Sequence, residues 1–194
     1  MEKKMTPQET LSLISSMIDK TRHTFSDRSH YFLLWGYTVF IACALQFIMI
    51  SLKYEKSYIA WLLIVPAIIL HFIFIARDKK KERVSTYISE ANKILWMGVG
   101  VCYIVMFFIF AKISWKFCFP FYVLIYALGT FVSGSLIRFK PLIIGGIISF
   151  IIAAGISFFD YKIQILLAAL SILVSYIIPG HLLKNKYKYQ NSLA

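Results

Sequence analysis

Residues 31–52, YFLLWGYTVFIACALQFIMISL, run for 22 positions without a charged side chain. At 1.5 Å per residue a helix of that length reaches across the ~30 Å hydrocarbon core of a bilayer. Lipid offers no water to backbone amides and carbonyls, and a single apolar segment satisfies its own only as a helix. The same reading extends outward to runs at 58–76, 94–111, 117–137, 141–159 and 163–183, none of which contains Asp, Glu, Lys or Arg. The sequence therefore predicts an all-α integral membrane bundle of six transmembrane helices over 31–183.

Charge placement predicts the orientation. Hydrophobic residues make up 59% of the 194 positions and charged residues 15%, against ~25% charged in soluble domains. The net charge of +12 lies in the connections, where it alternates from span to span. Sixteen Lys and Arg fall in 1–30, 77–93, 138–140 and 184–194, and five in 53–57, 112–116 and 160–162. Lys and Arg accumulate on the cytoplasmic side, so both termini are expected in the cytoplasm of a bacterial inner membrane. This placement accounts for the charge without a nucleic-acid partner. The outer connections are too short to hide a soluble domain, and such tight links predict three helical hairpins, 1–2, 3–4 and 5–6. Trp35 and Trp96 fall near the inner ends of their spans and Trp61 and Trp115 near the outer ends, where amphipathic rings favour the headgroup level. The first apolar run is too long for the core of a secretory signal.

Residues 1–30 form a separate cytoplasmic element. Thr6-Pro-Gln-Glu9 has the spacing of a capping box, with Pro7 at the first helical position. Leu11, Ile14, Ile18 and Phe25 then share one stripe, which must be buried on the inner leaflet, on the 77–93 loop or on a protein partner. Within that loop Val84, Tyr87, Ile88 and Ala91 make a second, shorter stripe. Residues 184–194 read as a cytoplasmic tail.

Helices in lipid associate where small residues let backbones approach. Gly145, Ser149, Ala153 and Ser157 recur every four residues along the fifth span, and Gly129 and Ser133 do so on the fourth. Both spans are expected at the centre. Pro66 should kink the second span, Pro179-Gly180 should loosen the end of the sixth, and Pro141 suits the first turn of the fifth.

Chemistry is sparse. Gln46 and His71 are the strongest polar groups within the spans, and without an intramembrane carboxylate there is no acid or base of the usual kind. His71 and His181 are expected at similar depth, which makes them weak candidates for a bis-histidine haem or metal site. The stretch from Gly129 to Ser135 imitates a phosphate loop but lacks its lysine, and Gly98-x-Gly100 does not continue into a dinucleotide fingerprint. The three cysteines lack metal or disulfide spacing. The expectation is a protein that is no enzyme and holds no resident cofactor or metal.

Four stretches, Thr6-Pro-Gln-Glu9, Phe32-Leu-Leu-Trp-Gly36, TFVSGSLIRFKP at 130–141 and Ile178-Pro-Gly-His181, together resemble an uncharacterised family of small bacterial six-span membrane proteins. The resemblance implies a bacterial inner-membrane protein and carries no activity. The expected function is a regulatory, scaffold or complex-subunit role exercised through the cytoplasmic helices on a cytoplasmic or membrane protein partner. Two alternatives are a permease or channel for a small uncharged solute, lined by Gln46, Thr130, Ser133 and His71, and a haem-binding membrane protein.

Overall fold

The computed structural model describes residues 6–13, 15–16, 29–79 and 87–191. Every regular element among them is helical. In chain order these are α1 (Ser29–Ser51), a 3-10 segment Ser57–Leu63, α2 (Ile64–Lys79), α3 (Tyr87–Lys112) and a 3-10 turn Trp115–Phe117. There follow α4 (Cys118–Leu136), α5 (Lys140–Ile156), α6 (Tyr161–Ile172), a π-helical segment Leu173–Ile177 and α7 (Ile178–Asn191). Among the described residues, five stretches are long and apolar enough to cross a membrane: Ser29–Ser51, Ser57–Asp78, Tyr87–Lys112, Trp115–Leu136 and Tyr161–Asn185. That is the build of a membrane protein.

The fifth expected span is shorter than the sequence predicts. Helix α5 ends at Ile156 and the chain turns through Ser157–Phe159, leaving an apolar helix of 17 residues. Ser157 is thus the cap that follows the helix and is exposed, so it lies outside the packing ridge to which its spacing assigned it. Pro66, expected to kink the second span, stands in the first turn of α2, and the turns before it are wound as a 3-10 helix. A proline ring clashes with the carbonyl four residues back, and the tighter preceding winding is a way out of that clash. At the other end of the chain, α7 carries helix through the expected tail to Asn191.

Helices α1, α4, α5 and the α6–π–α7 rod form the centre. The 3-10 segment and α2 lie against α1, while α3 lies against α4 and its preceding turn. Each expected hairpin is therefore a pair of neighbours. Outward faces on α2 (Ile69, Phe72, Ile73) and α3 (Ile104, Phe107, Phe108) are more than half exposed, as surfaces solvated by lipid tails would be.

Glycines set the central spacing. A Cβ built on Gly134 would stand 2.8 Å from the Ile143 amide nitrogen, and one on Gly145 2.8 Å from Ser175 Cα. Gly36 brings α1 onto Tyr176 and Ile177 in the same way. Gly145, Ser149 and Ala153 are buried as their ridge requires, and Gly129 lies under Trp96 and Val99 of α3.

Two turns end their helices alike. After α1, Tyr54 N–H bonds the Met49 carbonyl and Lys53 N–H the Ile50 carbonyl, with Lys53 at φ 56°. After α4, Phe139 bonds Gly134 and Arg138 bonds Ser135, with Arg138 at φ 51°. Both are Schellman closures in which a basic residue occupies the left-handed position that glycine usually takes.

At the N-terminus the capping box forms as its spacing dictates. The Thr6 amide donates to Glu9 Oε2 at 2.8 Å and the Glu9 amide to Thr6 Oγ1 at 3.2 Å. Leu11 is described and is 67% exposed; Ile14, Ile18 and Phe25 lie outside the described residues.

Candidate functional site

Polar side chains inside an apolar bundle are where function would have to be built. They gather at four levels.

At one level, Gln46 of α1 is 2% exposed and is bonded through both its oxygen and its nitrogen. Its carbonyl oxygen accepts from Trp61 Nε1 at 2.7 Å, and its amide donates to the Tyr161 hydroxyl at 3.2 Å. This three-residue knot ties α1 to the 3-10 segment and to the start of α6. Nearby Lys162 places its ammonium 5.0 Å from the centre of the Phe47 ring.

Toward the other ends of the spans, Trp35 Nε1 donates to His71 Nδ1 at 3.2 Å. With Nδ1 accepting, the imidazole is the neutral tautomer whose proton is on Nε2. Tyr31 and Trp35 both stack edgewise on that ring. His181 instead meets the Tyr37 hydroxyl at 2.7 Å. Trp35 and Tyr37 are two residues apart on α1, about 200° around the helix. The two histidines thus have separate partners on opposite faces of α1, and the structure does not bring them together. Among the described residues no group of three His, Cys, Asp or Glu side chains could hold a metal ion.

The counterpart level on α3 and α4 follows the same plan. Trp96 Nε1 donates to Ser133 Oγ at 3.0 Å, and Ser133 in turn donates to Asn92 Oδ1 at 2.7 Å. Three of the four tryptophans therefore donate into the protein, where the sequence pattern assigned them to the headgroup belt. A facing polar side chain explains each case. The Trp35–His71 and Trp96–Ser133 pairs also span nearly the same distance along the chain, 36 and 37 residues.

Hydroxyls crowd the middle level. Ser171 Oγ donates to Ser149 Oγ at 2.7 Å and Ser175 Oγ to the Ser171 carbonyl at 2.7 Å, all three serines being fully buried. The Tyr126 hydroxyl lies beside Ser171, Ser149 and Ser175 but closes a hydrogen bond with none of them. Thr130 is fully buried, and its Oγ1 has no hydrogen-bond partner, with the Tyr176 hydroxyl among its neighbours. Tyr176 is held by the rings of Phe32, Trp96 and Tyr126.

Sequence reasoning had named Ser149 and Ser133 for packing and Thr130 as a pore-lining group, but missed Tyr126, Ser171, Ser175, Tyr176 and Asn92. A signal was present on α4, where Tyr122, Tyr126, Thr130 and Ser133 share one face at helical spacing. As for chemistry, the arrangement brings together donors and acceptors without charge, which can bind small neutral groups. No protein-family model, curated protein or solved structure matches the chain.

Proposed function

We propose that this is a non-enzymatic bacterial inner-membrane protein that serves as a regulatory, scaffold or complex subunit and docks its partner through the N-terminal helix. The observation that carries this reading is the close glycine packing of the bundle. Gly134, Gly145 and Gly146 set helix backbones so near that even a methyl group would collide. Alternating access requires packed elements to move past one another, and contacts of this kind resist it. The N-terminal helix, in contrast, closes its own cap and leaves Leu11 in the open.

In this reading the chain crosses the membrane six times, with both termini cytoplasmic. Helix α5 returns along α4 from a three-residue turn. At about 25 Å it falls slightly short of the hydrocarbon thickness, a mismatch that local bilayer thinning accommodates. The alternation of Lys and Arg and the resemblance noted above support the same placement.

The test is a comparison of wild type with the Ile14→Asp, Ile18→Asp double variant, both purified from the native host membrane. The docking reading expects normal insertion of the variant and loss of a co-purifying protein. Identical co-purifying proteins from both would sink it. The second reading, a permease for a small uncharged solute, is favoured by one observation, the unpaired hydroxyls of Tyr126 and Thr130. Solute flux into proteoliposomes, absent in Thr130→Val, is its test.

A further inference from the structure

The middle of the bundle holds more hydroxyls than it has partners for. Tyr126 is 5% exposed and Thr130 0%, on adjacent turns of α4. Their oxygens are buried and without any side-chain or backbone partner. In hydrocarbon an unsatisfied hydroxyl carries its full desolvation penalty, and phenylalanine or valine would fill the same volume without it. The facing rod is irregular at the same level. Ile178 N–H reaches back five residues to the Leu173 carbonyl, the wide turn that defines the π segment. Such turns redirect carbonyls and are frequent at binding sites. Two independent features, orphaned hydroxyls on one helix and a widened turn on its neighbour, therefore meet at one place.

We propose that Tyr126, Thr130, Ser149, Ser171, Ser175 and Tyr176 form an occluded binding site for small neutral molecules that both donate and accept hydrogen bonds, and that its ligand is water. One water joins the Tyr126 hydroxyl to the Ser149–Ser171–Ser175 cluster, and another joins Thr130 to Tyr176. The chemistry of the lining selects this ligand. No Asp or Glu occurs in any of the apolar runs, so a cation here would stay uncompensated. An anion would meet no Lys or Arg. A water needs two to four polar partners, which each position supplies. The site goes beyond the docking role and stands or falls separately from it.

The sign of a stability change tests the proposal. Tyr126→Phe and Thr130→Val keep shape and remove one oxygen each. If water bridges these groups, each variant strips a hydrogen-bonded network and the melting temperature of the full-length protein in nanodiscs falls by about 2–4 °C. If nothing is bound, each variant deletes an unsatisfied atom and the melting temperature rises. X-ray footprinting in water enriched in oxygen-18 supplies the direct readout, because radicals form from water held next to a side chain. The proposal expects oxygen-18 on buried Tyr126 in the wild type together with lower melting temperatures in both variants. A melting temperature that is unchanged or raised in either variant, or a Tyr126 that takes up no label, overturns it.

Discussion

Gly146 of α5 lies directly against Phe131 of α4, where a Cβ on the glycine would stand 2.8 Å from Phe131 Cβ and 2.9 Å from its Cα. Backbone and near-backbone atoms cannot swing aside as the end of a long side chain can. Gly146→Ala should therefore cost about 1–3 kcal/mol, the usual range for overpacking a close-fitted interior. Gly98 of α3 is the internal control, since a Cβ there meets nothing within 4 Å. Gly98→Ala should be neutral or stabilise by up to ~1 kcal/mol through helix propensity. Thermal unfolding of both variants in detergent checks the contrast, and equal losses would contradict it.

The Gln46 knot should behave as a coupled unit. Gln46→Leu leaves the Trp61 indole without its acceptor, and Trp61→Phe leaves the Gln46 carbonyl without its donor. A double-mutant cycle on the two should give a coupling of about 1 kcal/mol, the scale measured for hydrogen bonds between membrane helices. Strictly additive losses would mean that the pair contributes shape alone.

Topology can be read directly. Reporter fusions at Lys56, Lys116 and Lys162 should behave as periplasmic, and fusions at Lys81 and Lys188 as cytoplasmic. A cytoplasmic signal from Lys162 would mean that the short α5 does not cross, leaving five spans and the C-terminus outside.

The N-terminal cap should titrate. The Thr6 amide, with its side chain in support, holds the Glu9 carboxyl below the usual carboxylate value of 4.5. A folded pKa that is depressed means the contribution is fully present above the ordinary value and is lost as pH falls through the lowered one. Amide exchange at Glu9 and Thr10, corrected for intrinsic rates, should therefore show protection at pH 6 that disappears in acid below pH 4.5. In Glu9→Gln, protection should not change over that window; persistent acid sensitivity would point to a different group.

Local rules were the legible part of this sequence. Uncharged runs became helices because the backbone has no other solution in lipid, and Thr6 and Glu9 found each other because a capping box is contained within four residues. The ridge of Gly145, Ser149 and Ala153 could also be read, since its period alone places it on one face. What stayed hidden depends on partners far away in the chain. Ser171 meets Ser149 across 22 residues and Trp96 meets Ser133 across 37, and neither spacing announces a contact. The histidines show the same limit. Similar depth made His71 and His181 look like a pair, but depth says nothing about azimuth, and their partners lie on opposite faces of α1. Ser157 failed for a different reason, because a ridge continues only as far as its helix, and α5 stops one residue earlier.

The π turn has a consequence for the angular phase of everything beyond it. A wide turn is an α-helix holding one residue too many, and each residue of helix is about 100° of rotation. Removing Val174 and letting the rod close into regular α-helix would swing all of α7 by that angle against α6. His181 would leave Tyr37, Gly180 would no longer slide under Leu33, and Leu183 would turn out of its pocket among Ile137, Phe139 and Leu142. The rod works like a key cut in two sections with a fixed offset between them. A substitution in Leu173–Ile177 changes one tooth, whereas a single deletion there misaligns every tooth that follows.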